Sequence, residues 1–63
     1  GNREPGVPTS GIFATSDGWV AVVGPEGCRA VVDAADRQTS ADVITAIVKA
    51  GGSAVEVLDP WTA

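Results

Sequence analysis

Carboxylates are the most numerous titratable side chains in this sequence. Two of them held close can divide general-acid and general-base roles, so pairs matter first. The pairs close in sequence are Asp33/Asp36 and Asp36/Asp42. Asp33 and Asp36 stand three residues apart, which reads as surface charge on a solvated helix face. Glu26 follows an apolar run and a proline, where it suits the positive end of a helix dipole. Cys28 is the only thiol, and the sequence holds no His to activate it. A helix N-terminus lowers a thiol pKa, but Cys28 falls on an apolar stripe and reads as a small buried side chain. Gly24-Pro25-Glu26-Gly27 is a loop leading into a helix, where amides can hold an anion. It matches neither G-x-G-x-x-G nor the phosphate-binding loop ending in Gly-Lys-Ser/Thr. The four cations, Arg3, Arg29, Arg37 and Lys49, are scattered. No self-contained active site emerges, and no catalytic residue is assigned.

Composition narrows the classes further. The chain has 63 residues with Lys+Arg 4 against Asp+Glu 8, a net charge of -4. An acidic chain lacks the basic face that nucleic acid or anionic lipid requires. Without His, imidazole catalysis and His-ligated metals are excluded. One Cys excludes an internal disulfide and a paired-cysteine metal site. No apolar run is long enough for a transmembrane helix, and no signal-peptide pattern is present. A lone thiol without such a signal points to a reducing cytoplasm. The chain starts at Gly1 rather than Met, which suggests a fragment or processed product of something longer. Hydrophobic residues make up 44%, enough to fold. Bulky ones are few, however, and a domain this small buries only about 60% of its unfolded surface. A thin core finished by a partner surface is expected.

The elements follow from the local signals. Residues 1–10, rich in Pro and Gly, read as an extended arm or linker, leaving 11–63 as the domain. Asp17-Gly18 between two apolar runs predicts a β-hairpin with a two-residue type I′ turn. That turn pairs Ser16 with Trp19, Phe13 with Val22 and Ile12 with Val23. Alternation puts Ile12, Ala14, Ser16, Trp19, Ala21 and Val23 on one face, and Phe13, Thr15, Val20 and Val22 on the other. Both faces are apolar: one is covered by helices, and the second is free to dock on another domain or subunit. Residues 25–36 read as a helix with Cys28, Val31, Val32 and Ala35 on its apolar stripe; a short strand through Ala30, Val31 and Val32 competes. Thr39 to Asp42 resembles a capping box opening a helix over 40–50, with Val43, Ile44, Ile47 and Val48 buried. Lys49 and Gly51-Gly52 close it. Residues 53–58 alternate around Glu56 as a strand with Val55 and Val57 inward. Asp59-Pro60 ends it, and Trp61 is expected to dock. The fold class is α+β, in the order β-β-α-α-β, with the Asp-Gly hairpin packed against one or two helices.

Asn2-Arg3, the run Gly11-Ile12-Phe13-Ala14-Thr15-Ser16-Asp17-Gly18-Trp19-Val20-Ala21-Val22, and the later stretch from Thr39 to Leu58 resemble the family III CoA-transferases. That family includes carnitine CoA-transferase-like proteins and alpha-methylacyl-CoA racemases. Its members share an "NR-P" approach, a strand, a "T-x-D-G-[WYF]-V" hairpin and "AV-G". The resemblance covers about half of the chain. Here 25–38 is shorter than the corresponding family segment, and Ala50 to Val57 lacks that segment's prolines. The resemblance implies a small α+β domain without catalysis of its own, beside a large CoA-binding domain in interlocked dimers. It implies no cofactor held by this chain alone, but a CoA thioester reached through the partner. Glu26 is then a substrate-proximal candidate. The docking surface is expected at Phe13, Trp19, Val20, Val22 and Trp61. The alternative is a free-standing module that associates with a second copy.

Overall fold

A computed structural model describes residues 8–58. It is an α+β domain built on a three-stranded antiparallel sheet in the order β1-β2-β3. Strand β1 is Thr9–Ala14, β2 is Trp19–Gly24 and β3 is Ser53–Val57. Between β2 and β3 lie helix α1, Arg29–Asp33, and helix α2, Ser40–Lys49. The expected β-β-α-α-β order is the observed one. The first strand begins at Thr9, so Thr9 and Ser10 belong to the sheet rather than to the arm expected over 1–10.

Central strand β2 pairs with both neighbours, so its pleat decides what faces the helices. Val20 and Val22 are fully buried beneath α2, with Val43 and Ile47 above them. Cys28, Val32 and Ala35 complete the core, and Phe13, Val31, Ile44, Ala50 and Ala54 pack against it. These are small side chains, as a sequence with few bulky residues requires.

The hairpin closes differently from the expected type I′ turn. Phe13 pairs with Val20, Ile12 with Ala21 and Ala14 with Trp19. The Thr15 N–H donates to the Gly18 carbonyl at 2.8 Å, so Ser16-Asp17 form the loop and Gly18 flanks it. No non-glycine residue among those described has positive φ, and Gly18 has none either, which rules out a type I′ turn. The cause is tertiary: the tip is tied to the start of α2, and that geometry overrides the local Asp-Gly preference. The pairing is displaced by two residues. Because side chains alternate with period two, the face assignments survive.

The helix expected over 25–36 is divided into three. Glu26–Cys28 is a 3-10 turn, α1 follows, and Ala35–Arg37 is another 3-10 turn. Ala34, at φ -105 and ψ 7, leaves the helical region, and the amides of Arg37 and Gln38 bond three residues back. Val31-Val32-Asp33 are poor helix formers, and nothing local opposes the break. The predicted stripe nonetheless faces the core.

Helix α2 has the expected ends. The Thr39 hydroxyl accepts from the Asp42 amide at 3.1 Å. Gly51, at φ +91, takes the left-handed position. The Gly52 amide reaches back to Ile47 (2.9 Å) and the Gly51 amide to Val48 (3.0 Å), which is a Schellman closure. Its buried face is Ser40, Val43 and Ile47; Val48, expected inside, is 59% exposed.

Strand β3 also corrects the sequence reading. Val55 is 63% exposed and shares a face with Val57, away from the helices. Ala54, opposite Val22, is the residue that packs inward. The pleat of β2 imposes this phase, and the small Ala54 admits α2 close to the sheet. Glu56 stands on the helix side of this edge strand but remains exposed, so its carboxylate is solvated.

Helix and sheet meet tightly around Cys28. A Cβ on Gly52 would lie 2.9 Å from Cys28 Sγ, Ile47 Cγ2 and the Val23 carbonyl oxygen. A Cβ on Gly24 would lie 2.6 Å from the same sulfur. Gly52→Ala is therefore expected to destabilise the domain by about 1–3 kcal/mol in urea unfolding. Cys28→Ala in the same chain should recover part of that loss. A neutral Gly52→Ala would show that this seam is loose. Thr9 is fully buried, and its hydroxyl has no hydrogen-bond partner among the described residues. Thr9→Val is expected to leave stability unchanged or raise it by about 1 kcal/mol; a clear loss would reveal a partner for the hydroxyl.

Candidate interaction surface

The carboxylates do not converge. Asp33, Asp36 and Asp42 are all exposed. Asp36 lies 4.0 Å from Arg37 in a solvated pair. Glu26 is half-buried in the 3-10 turn after β2. Among the described residues no group of three or more His, Cys, Asp or Glu could hold a metal. The Cys28 thiol is buried and points toward the carbonyls of Ile47 (3.9 Å) and Ala50 (4.0 Å). It is a packing residue in a glycine cradle.

One polar cluster does form, at the hairpin tip. Asp17 Oδ1 accepts from the Ser40 amide at 2.8 Å and from the Thr15 hydroxyl at 3.1 Å. The Thr15 and Ser40 hydroxyls share a hydrogen bond of 2.7 Å. The Ser16 amide donates to the Gln38 carbonyl at 2.8 Å. Asp17 thus satisfies an otherwise open amide at the start of α2 and sits at the positive end of its dipole. Together these bonds bolt the hairpin to the helix. The cluster's polar groups are spent on one another, so the T-x-D-G stretch works here as a structural clamp.

Among the described residues, no helix covers the opposite side of the sheet. Alternation places Ser10, Ile12 and Ala14 of β1, Trp19, Ala21 and Val23 of β2, and Ser53, Val55 and Val57 of β3 on one face. No described charged residue stands on it. Ile12 is 46% exposed and Val23 65%. An open apolar groove of about 390 Å³ runs across it, lined chiefly by Gly11, Ile12, Ala21, Val23, Ser53 and Val55. Monomeric domains seldom leave a contiguous apolar face open; such a face marks an interaction site.

The expected docking residues divide accordingly. Val20 and Val22 are consumed by the chain's own core, and Phe13 packs half-buried against it. Trp19 lies on the open face and is half-buried. Trp61 falls outside the described residues. Val23 and Val55, outside the expected docking set, are the most exposed apolar side chains of the groove. The signal that separates the faces is bulk: Phe13, Val20 and Val22 make a denser apolar set than a face interrupted by Ala14, Ala21 and Ser53. The chain matches no protein-family model, no curated protein and no solved structure. Among the described residues no helix is long and apolar enough to cross a membrane.

The clamp generates a pH prediction. The Ser40 amide, aided by the Ser40 and Thr15 hydroxyls, holds the Asp17 carboxyl below its ordinary value of 3.8. A folded-state pKa below the unfolded one stabilises above the unfolded value, and that stability is lost as pH falls through the folded pKa. Acid unfolding of the native chain should thus steepen below about pH 4. Asp17→Asn should flatten that limb and lower stability at pH 7. An unchanged acid limb in Asp17→Asn would show that the clamp contributes nothing.

Proposed function

We propose that this chain is a non-catalytic docking domain that packs its open sheet face on a larger protein surface. The observation that carries the reading is the apolar face from Ile12 through Ala21 and Val23 to Val55, which among the described residues is uncharged and uncovered while the helices cover the other side. Among the described residues, the dispersed carboxylates and the buried thiol supply no acid–base pair or nucleophile to set against it. The motifs shared with family III CoA-transferases make a CoA-binding domain the expected partner, with this chain covering part of the acyl-CoA cleft in an oligomeric assembly. Any CoA thioester is then held by the partner. Glu26 is the residue nearest in type and sequence position to a substrate-facing carboxylate. The lone thiol, buried and reduced, suits the cytoplasm.

The test is a thermal shift against the isolated large domain of a family III CoA-transferase. Binding at a hundredfold excess over Kd is worth about 2.7 kcal/mol, several degrees in a domain of this size. The native chain should show that rise. Val55→Asp should lose it while keeping its own Tm within a few degrees, because Val55 is mostly exposed. Absence of a rise with any such domain would overturn the CoA-binding assignment.

A further inference from the structure

We infer that, without a larger partner, the open face is taken by a second copy of this chain, giving a weak two-fold dimer with the sheets stacked face to face. The inference rests on the reading of that face as an interface and names its occupant. Three observations favour a second copy. The first is charge. The chain carries -4, yet every described charged residue lies off the face: Glu56 is on the helix side of β3, and the others lie in the turns and helices. Two copies stacked through this face keep their carboxylates on the outer layers, about 10 Å or more apart across the paired sheets.

The second observation is relief. The groove has small residues at its floor, Gly11, Ala21 and Ser53, with Ile12, Val23 and Val55 projecting around them. A two-fold axis brings identical patches together, so each copy offers both knobs and a hollow. Val55 or Ile12 of one copy fits over Ala21 of the other.

The third is area. Three strands spaced about 4.8 Å apart and rising about 3.4 Å per residue give a footprint of roughly 300 Å² per copy. Doubled, and allowing for side-chain relief, roughly 600–900 Å² is buried, short of the roughly 1,200 Å² at which stable specific interfaces begin. The dimer is therefore weak and reversible. A partner with a wider surface displaces it.

Sedimentation equilibrium over roughly 10 µM to 1 mM tests this on the native chain, with a 15N–1H dilution series alongside. The expected result is a monomer at the low end and a dimer at the high end. Concentration-dependent shifts should centre on Ile12, Ala21, Val23 and Val55 and spare α2. Val55→Asp should raise the Kd at least tenfold with a native-like spectrum. If that variant fails to fold, the dilution shifts of the native chain decide the matter alone. A native chain that stays monomeric at 1 mM overturns the self-association and leaves the docking reading standing, with another protein on the face. A dimer whose shifts map to α1 and α2, or that survives folded Val55→Asp, overturns both.

Discussion

Everything in this domain follows from the pleat of its central strand. Val20 and Val22 lie under α2, where they meet Val43 and Ile47 in one buried cluster. Once that is fixed, β1 and β3 inherit their phases through antiparallel pairing. Phe13 and Ala54 turn inward, and Ile12, Ala21 and Val55 turn outward. The two helical segments cover one face of the sheet, and among the described residues no element covers the other. The interaction surface is thus a by-product of the same alternation that builds the core.

Two local devices hold α2 in place over the sheet. At its start, Asp17 accepts the Ser40 amide while Thr15 and Ser40 share a hydroxyl bond. At its end, the Schellman turn at Gly51 and Gly52 returns the chain to β3 with the Cys28 sulfur against bare glycine backbone. The first device is part-buried and polar, with Asp17 at the surface and Ser40 beneath it; the second is buried and steric. Together they set where α2 lies over Val20 and Val22 in a core with no aromatic residue fully inside it. Motif residues that look chemical in sequence, Asp17 and Cys28, are occupied with this fastening.

Local signals made much of the fold legible. The Thr39 cap and the Gly51 terminator are short-range hydrogen-bond patterns, and α2 has the predicted start and nearly the predicted end. The hairpin and its two faces were readable because period-two alternation survives an even displacement. What was not readable depended on distant partners. The turn register is set by Ser40, more than twenty residues beyond Asp17. The break at Ala34 follows weak helix propensity that no single residue announces. The inward position of Ala54 over Val55 is decided by pairing with Val22. The burial of Val20 and Val22 was hidden for the same reason: they look like a free apolar face until α2 is placed above them.

The account stands on the sheet having one covered and one open face in the isolated chain. Solvent paramagnetic relaxation of side-chain methyls by a soluble gadolinium chelate, measured on dilute monomer, reads this directly. Methyls of Ile12, Val23 and Val55 should relax strongly, while those of Val20, Val22, Val43 and Ile47 stay protected. Equal protection of both sets in the dilute monomer would contradict the account, because the second face would then be covered by the chain itself.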